Sequence, residues 1–127
     1  MKELMAVIRM NMINKTKQAL IDTGISSITV KDVLGRGKGM VDFSLLKGAE
    51  LGYEEAIVQL GQSQRLVPKR LLIIILPDES VAQAVDTIIS VNQSKKSGDG
   101  KIFIQPIIDA VRVRTNEHGI KAIDESF

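Results

Sequence analysis

Three short stretches of the chain carry residue types that handle anions. Gly35-Arg36-Gly37-Lys38-Gly39 and Ser97-Gly98-Asp99-Gly100-Lys101 each combine glycines with a cation. Glycine lets backbone N–H groups approach a bound anion closely, and a flanking lysine or arginine offsets phosphate charge. The third stretch, Arg112-Val113-Arg114, spaces two guanidiniums two residues apart. In a strand, residues at that spacing share a face, so both could grip one polyphosphate with bidentate geometry. Neither glycine stretch is a Walker motif, because Ile102 follows Lys101 where Ser or Thr is needed. Neither fits the dinucleotide fingerprint. Taken alone, each is more often an ordinary glycine turn with a solvated lysine, and the arginine pair is equally a solvated edge strand.

Catalytic chemistry finds less to work with. His118 is the single histidine, set in a polar tail, and cysteine is absent. No Ser-His-Asp set and no metal-ligand cluster can be assembled from these residues, so neither a catalytic residue nor a metal ligand is assigned. Glu54-Glu55 and Asp78-Glu79 are adjacent pairs, whose side chains diverge on a regular element. Asp99 reads as a turn former or a ligand.

The elements that must position these residues follow from periodicity. Leu4 to Arg9 reads as a buried strand. Asn14 is placed to cap a helix running to about Thr23, with Ile13, Ala19 and Leu20 on its apolar side and Gly24 as its left-handed C-terminal residue. Ile28 to Leu34, rich in Val, Ile and Thr, reads as a second strand. Met40 to Val67 has no steady period, although Tyr53 to Leu60 could hold a helical turn or two; an insertion this long is usually functional. Leu71 to Leu76 reads as a central strand ended by Pro77. Asp78 is placed to cap a helix whose core stripe is Val81, Ala84, Val85, Ile88 and Ile89. A polar loop from Ser94 to Gly100 leads to a strand over Lys101–Ile104, with Val111–Arg114 as a further strand candidate and a loose tail from about 116 to 127. Two βαβ-type halves in this order predict an α+β, ferredoxin-like βαββαβ fold in one domain spanning 1–127, with a long loop at about 36–67 between the second and third strands.

With those positions set, the motifs resemble a known family. Gly98-Asp99-Gly100-Lys101-Ile102-Phe103, followed by Val111-Arg112-Val113-Arg114-Thr115, looks like the B-loop and C-loop signatures of the nitrogen-regulatory PII signalling proteins, and the spacing between the blocks agrees. Thr29-Val30-Lys31-Asp32-Val33-Leu34-Gly35 resembles the family's second strand entering its T-loop. Lys47-Gly48-Ala49-Glu50 resembles the T-loop's Arg-Gly-Ala-Glu stretch. Pro68-Lys69 and Pro77-Asp78 bracket the third strand as in the family. The likeness covers about residues 1–115.

The resemblance implies a regulatory binding protein and not an enzyme. It implies a trimer, either of one chain or mixed with a paralogue, with ATP or ADP in clefts between subunits. Gly98, Asp99, Gly100, Lys101, Arg112 and Arg114 match phosphate-binding positions. Val7, Thr29, Gly35, Gly37 and Ile75 match positions lining the rest of the nucleotide site, and Lys38, all that remains of an Arg-Gln-Lys run, joins the nucleotide set. Lys69 matches the lysine that reaches 2-oxoglutarate, which in the family binds with Mg2+. The family's metal-binding Gln has no counterpart here. Ile73 replaces a Glu of the third strand, and Leu51 stands where many relatives carry a modifiable Tyr, with Tyr53 displaced from it. The loop is shorter before Gly-Ala-Glu and longer after it, which resembles the nitrogenase-regulating, long-T-loop branch of methanogenic archaea. Nitrogenase is then the implied target, and an ammonium channel or another nitrogen-assimilation enzyme is the alternative.

Composition narrows the remaining possibilities. A net charge of +2 is too small for a broad nucleic-acid-binding field, and 3% aromatics with no Trp leaves no base-stacking platform. The longest apolar run, Leu71 to Leu76, is too short to span a bilayer, and no signal-peptide core follows Met1. Neither nucleic acid nor membrane insertion is expected, and the cytoplasm is the expected location. A nucleotide-hydrolysing enzyme would lack a base. A bare structural trimer would leave the glycine-flanked cations unexplained.

Overall fold

The computed structural model describes residues 1–37 and 65–123. Lys38, the glycine at 39, the whole stretch from Met40 to Gln64 and residues 124–127 lie outside the described residues. So do the expectations placed on Tyr53–Leu60, Lys47–Glu50 and Leu51.

Among the described residues, four strands form one sheet in the order β2-β3-β1-β4, every neighbouring pair antiparallel. They are β1 (Lys2–Arg9), β2 (Thr29–Gly35), β3 (Val67–Leu76) and β4 (Lys101–Pro106). Helices α1 (Ile13–Asp22) and α2 (Val81–Asn92) lie on one face, and a single turn, α3 (Ile120–Ile123), follows β4. This is the ferredoxin-like arrangement that the element order predicts.

The alternation in β1 and β3 explains the layering. Leu4, Ala6, Ile8, Leu72, Ile74 and Leu76 point toward the helices and are buried with Leu20, Ile25, Ala84 and Ile88. Cross-strand pairs share a face, so Ile102 and Ile104, opposite Ala6 and Leu4, also face the helices. Of the predicted α2 stripe, Ile89 turns out to be exposed. Where the helices meet, Asn92 Nδ2 donates to Thr16 Oγ1 at 3.0 Å, a buried polar link between α2 and α1.

Gly24, at φ +91°, ends α1 as its sequence position suggests. The Ile25 amide donates to Leu20 O at 3.0 Å and the Gly24 amide to Ile21 O at 2.9 Å, the paired bonds of a Schellman end. Ile25 and Leu20 then pack together in the core.

Several local expectations need correcting. Asn14 is not a cap: a 3-10 turn over Met10–Met12 precedes α1, whose N-cap is Met12. Asp78 is not a side-chain cap either. The N-cap of α2 is Ser80, and Asp78 instead binds the Met1 ammonium at 2.8 Å and Lys2 Nζ at 3.0 Å. β3 begins four residues earlier than Leu71, because β2 extends far enough to pair with it: Leu34 sits opposite Pro68 and Gly35 opposite Val67. β4 likewise runs on to Pro106, paired with Lys2.

The largest departure follows β4. Val111–Arg114 is no strand; Val111 makes one isolated bridge to His118, and residues 113–115 form a turn. Nor are residues 116–123 loose. The Asn116 amide donates to Arg112 O at 2.7 Å, and the Gly119 amide to Ala110 O at 2.9 Å and to Asp109 Oδ1 at 3.1 Å. His118 Nδ1 lies 3.1 Å from Asp109 Oδ2. The arm is therefore organised by bonds to itself, while Ile108 and Val113 are fully exposed.

Candidate functional site

Register decides which predicted residues meet. On the face away from the helices, β1 contributes Glu3, Met5, Val7 and Arg9, and β3 contributes Lys69, Leu71, Ile73 and Ile75. β2 adds Thr29, Lys31, Val33 and Gly35, and β4 adds Lys101, Phe103 and Gln105. Val7, Thr29, Gly35, Lys69, Ile75 and Lys101, nominated from the sequence, thus share one open sheet face. Its cations gather at one end: Arg9 is opposite Lys69, and Lys101 is opposite Val7. Gly35 is close beside them, since a Cβ there would lie 3.8 Å from Lys69 Cγ. Gly37 follows the end of β2 and is exposed.

The same end carries the loop from Ser94 to Gly100. Its centre is Asp99. Oδ2 accepts from the amides of Ser94 at 2.8 Å and Lys95 at 3.0 Å. Oδ1 accepts from Arg9 Nη1 at 2.5 Å and from the Ser94 hydroxyl. The Ser94 hydroxyl and amide, with Arg9 and the Lys95 amide, hold this carboxyl well below the usual carboxylate range, against a smaller desolvation effect in the other direction. The aspartate that could have been a ligand or a turn former has its oxygens directed at the loop's own donors. That bonding also accommodates Lys95 at φ +63°, a conformation unusual for a residue with a Cβ.

Glycine is required twice here. Gly98 has φ +96°, and a Cβ on it would lie 3.1 Å from Arg9 Nη2. Gly100 has φ +108°, and a Cβ would fall 1.9 Å from the Val7 carbonyl oxygen. The loop therefore lies directly on the backbone of β1. Lys69 Nζ donates to the Gly98 carbonyl at 3.1 Å, so the lysine expected to reach an acidic effector touches the phosphate-loop candidate in this state.

Arg112 and Arg114 are not part of this cluster within one chain. The loop enters β4 at Lys101 and the arm leaves it at Pro106, the other end of the strand. Arg112 is bound inside the arm, with Nη1 donating to Glu117 Oε1 at 3.1 Å and Nη2 to the Lys121 carbonyl at 2.8 Å. Arg114 is exposed.

Arg9 is the residue the sequence reading passed over. As the last residue of β1 it is in phase with Val7, and strand alternation alone would have put it on the open face. Its partnership with residues some 90 positions away carries no local signal.

Among the described residues, no three His, Asp or Glu side chains are grouped to hold a metal ion. No helix among them is long and apolar enough to cross a membrane.

A family model described as "Nitrogen regulatory protein P-II" matches residues 1–117. The chain is 44% identical to "Nitrogen fixation nifHD region GlnB-like protein 2" of Methanobacterium ivanovii, over 97% of this chain and 99% of that one. It is 42% identical to the protein of the same description in Methanococcus maripaludis, over 97% and 100%. A crystal structure of Arabidopsis thaliana PII bound to citrate superposes with TM-score 0.73 at 28% identity, covering 99% of this chain and 92% of that one.

Proposed function

Because the chain belongs to the nitrogen regulatory protein P-II family, we propose that it binds ATP or ADP at the open sheet face and uses the bound state to regulate nitrogen fixation through protein contacts. The single observation that carries this reading is the loop end of that face. A glycine loop that Arg9 fixes on β1 meets Lys69 and Lys101 beside the half-buried apolar side chains of Val7 and Leu71. Apolar surface suits a base and ribose, and converging cations with backbone amides suit phosphates. Gly35, Gly37, Gly98, Gly100 and Lys101 complete the proposed set at that end; Thr29, opposite Ile73, and Ile75, opposite Glu3, lie toward the other end of the face and are proposed to serve the nucleotide bound by a neighbouring copy's loop. Asp99 serves it by shaping the loop. Lys38, outside the described residues, is proposed on family likeness alone.

Arg112 and Arg114 join the set when they come from a second copy, since one chain holds the loop and the arm at opposite ends of β4. An open face bearing Met5, Ile73, Ile75 and a half-exposed Phe103 needs such a cover. A trimer, of this chain alone or with a paralogue, is the proposed assembly, and the whole chain forms its one domain. Nitrogenase is the proposed target, which rests on the nif-region names of the 44% and 42% identical relatives; the long loop at about 36–67 is the proposed contact, and the cytoplasm the proposed location. Lys69 is the proposed 2-oxoglutarate ligand, released from the Gly98 carbonyl when the acid arrives. The described residues offer no acidic cluster for Mg2+, so no step is assigned to the metal. Catalysis is not part of the proposal.

Two measurements test it. Calorimetry on the full chain should show saturable ATP or ADP binding; its absence would remove the nucleotide reading. Affinity capture from a nitrogen-fixing methanogen extract should retain nitrogenase without ATP plus 2-oxoglutarate and release it with both. Capture of another nitrogen-assimilation protein, with nitrogenase absent, would replace the proposed target.

A further inference from the structure

We infer that Arg9 is the positioning residue of the Ser94–Gly100 loop, setting its ligand-ready shape from the end of β1 before any nucleotide arrives. The inference rests on the nucleotide reading of that loop. Arg9 makes three bonds to three loop residues: Nη1 to Asp99 Oδ1 at 2.5 Å, Nη1 to Ser94 Oγ at 3.4 Å and Nη2 to the Ser97 carbonyl at 2.9 Å. These partners lie at the beginning, middle and end of the loop, so one guanidinium fixes its whole course. The planar fork of arginine suits this task, because its several donors are rigidly spaced.

Two further features tie the same group to the glycines. A Cβ on Gly98 would lie 3.1 Å from Arg9 Nη2, so the guanidinium packs against the space that glycine leaves open. Two residues before Arg9, the Val7 carbonyl occupies the space that a Cβ on Gly100 would need. β1 thus holds the loop by backbone contact at Gly100 and by side-chain bonds at Ser94, Ser97 and Asp99. Both terminal nitrogens of Arg9 are turned into the loop. It therefore acts on a phosphate through the loop's amides and not as a direct ligand.

That distinction can be measured. ATP affinity is determined by calorimetry for the parent, Arg9→Ala, Arg9→Lys, Asp99→Asn and the Arg9→Ala/Asp99→Asn double variant. Arg9→Ala should weaken binding by about tenfold, the loss of one or two charge-assisted bonds that preorganise the loop. Arg9→Lys should recover part of it, since one ammonium can reach Asp99 but lacks the fork. The double variant should bind no more weakly than the poorer single variant, because residues that act through one another are not additive. Amide exchange in the free protein should speed up at Gly98 to Lys101 in Arg9→Ala, while the core strands stay protected. If Arg9→Ala binds ATP as the parent does, or its effect simply adds to that of Asp99→Asn, Arg9 is not a positioning residue. If Arg9→Ala does not fold, the Arg9→Lys variant and its exchange pattern carry the same test. Failure of the parent to bind ATP would overturn the nucleotide reading itself, and this inference with it, which is a different result from a parent that binds and variants that match it.

Discussion

Replacing Gly100 with alanine probes the contact that seats the loop on β1. Two costs add. At φ +108° a side chain raises the backbone energy by about 1–2 kcal/mol. The new methyl would also stand 1.9 Å from the Val7 carbonyl oxygen and 3.3 Å from Ile8 Cα, so the loop must lift or the strand must bend. Forced repacking of that kind costs about 1–3 kcal/mol, for a total of roughly 2–5 kcal/mol. Gly24→Ala is the internal control. It has a comparable φ of +91° but no atom within 4 Å of the added Cβ, so it should lose only the backbone share of about 1–2 kcal/mol. Urea unfolding of both variants at one protein concentration gives the comparison, since any assembly makes apparent stability depend on concentration. The Gly100 variant should have the lower midpoint. It should also lose ATP affinity, whereas Gly24→Ala, at the end of α1, should keep it. Equal midpoints for the two variants would refute the close approach as the reason for glycine at 100.

Asp99→Asn should flatten the acid limb of the stability curve. The folded carboxyl titrates well below its ordinary value of 3.8, so its contribution is present above the unfolded pKa and is lost as pH falls from there through the folded value; superimposable acid-unfolding curves by circular dichroism would rule this out. Arg114→Ala should weaken ATP binding by about tenfold or more with unchanged stability, as expected for loss of a charge-assisted phosphate bond, and calorimetry with a melting control decides it. Arg112→Ala should weaken binding too, but should also speed exchange at the Asn116 and Gly119 amides, because Arg112 is bonded within the arm. Thr16→Val should destabilise by about 1–2 kcal/mol without affecting ATP, since it strips a buried partner from Asn92; a loss of ATP affinity would contradict the separation of core and site.

The strands were legible because β1 and β3 alternate around a buried face, and the order of elements then leaves few topologies. Leu4, Ala6 and Ile8 on one side imply Val7 on the other, so the open face could be read from period alone. The ends of elements were less legible, because distant charges compete for capping residues. Asp78 resembles a helix cap but is drawn to the Met1 ammonium and Lys2. Arg112-Val113-Arg114 has the alternation of a strand, yet no strand among the described residues pairs with it, and the segment closes on itself through Glu117 and the Lys121 carbonyl. Arg9 failed to stand out for the opposite reason. Nothing near it in sequence is unusual, and its role arises only when β1 and the loop before β4 come together in the fold.

The separation of loop and arm bears on how the proposed site could work at all. β4 is six residues long, about 17 Å at the usual rise of a strand, and it stands between Lys101 and the arm that carries Arg112 and Arg114. In the proposed site a phosphate group on the glycine loop would lie near Lys101, Lys69 and the loop amides of its own chain, and the two arginines would reach it from another copy. The bonding within the arm is consistent with that task. It joins Arg112 to Glu117 and to the Lys121 carbonyl, and leaves Ile108 and Val113 bare for a neighbour. On this reading, assembly and nucleotide binding are one linked equilibrium. The nucleotide joins two chains that each hold half of its ligands, and the neighbour covers the apolar face beside it. A regulator built in this way would report on ligand through the arrangement of its subunits, with Lys69 near the start of β3, bonded to the loop proposed to bind phosphate and following in sequence the segment proposed to meet the target.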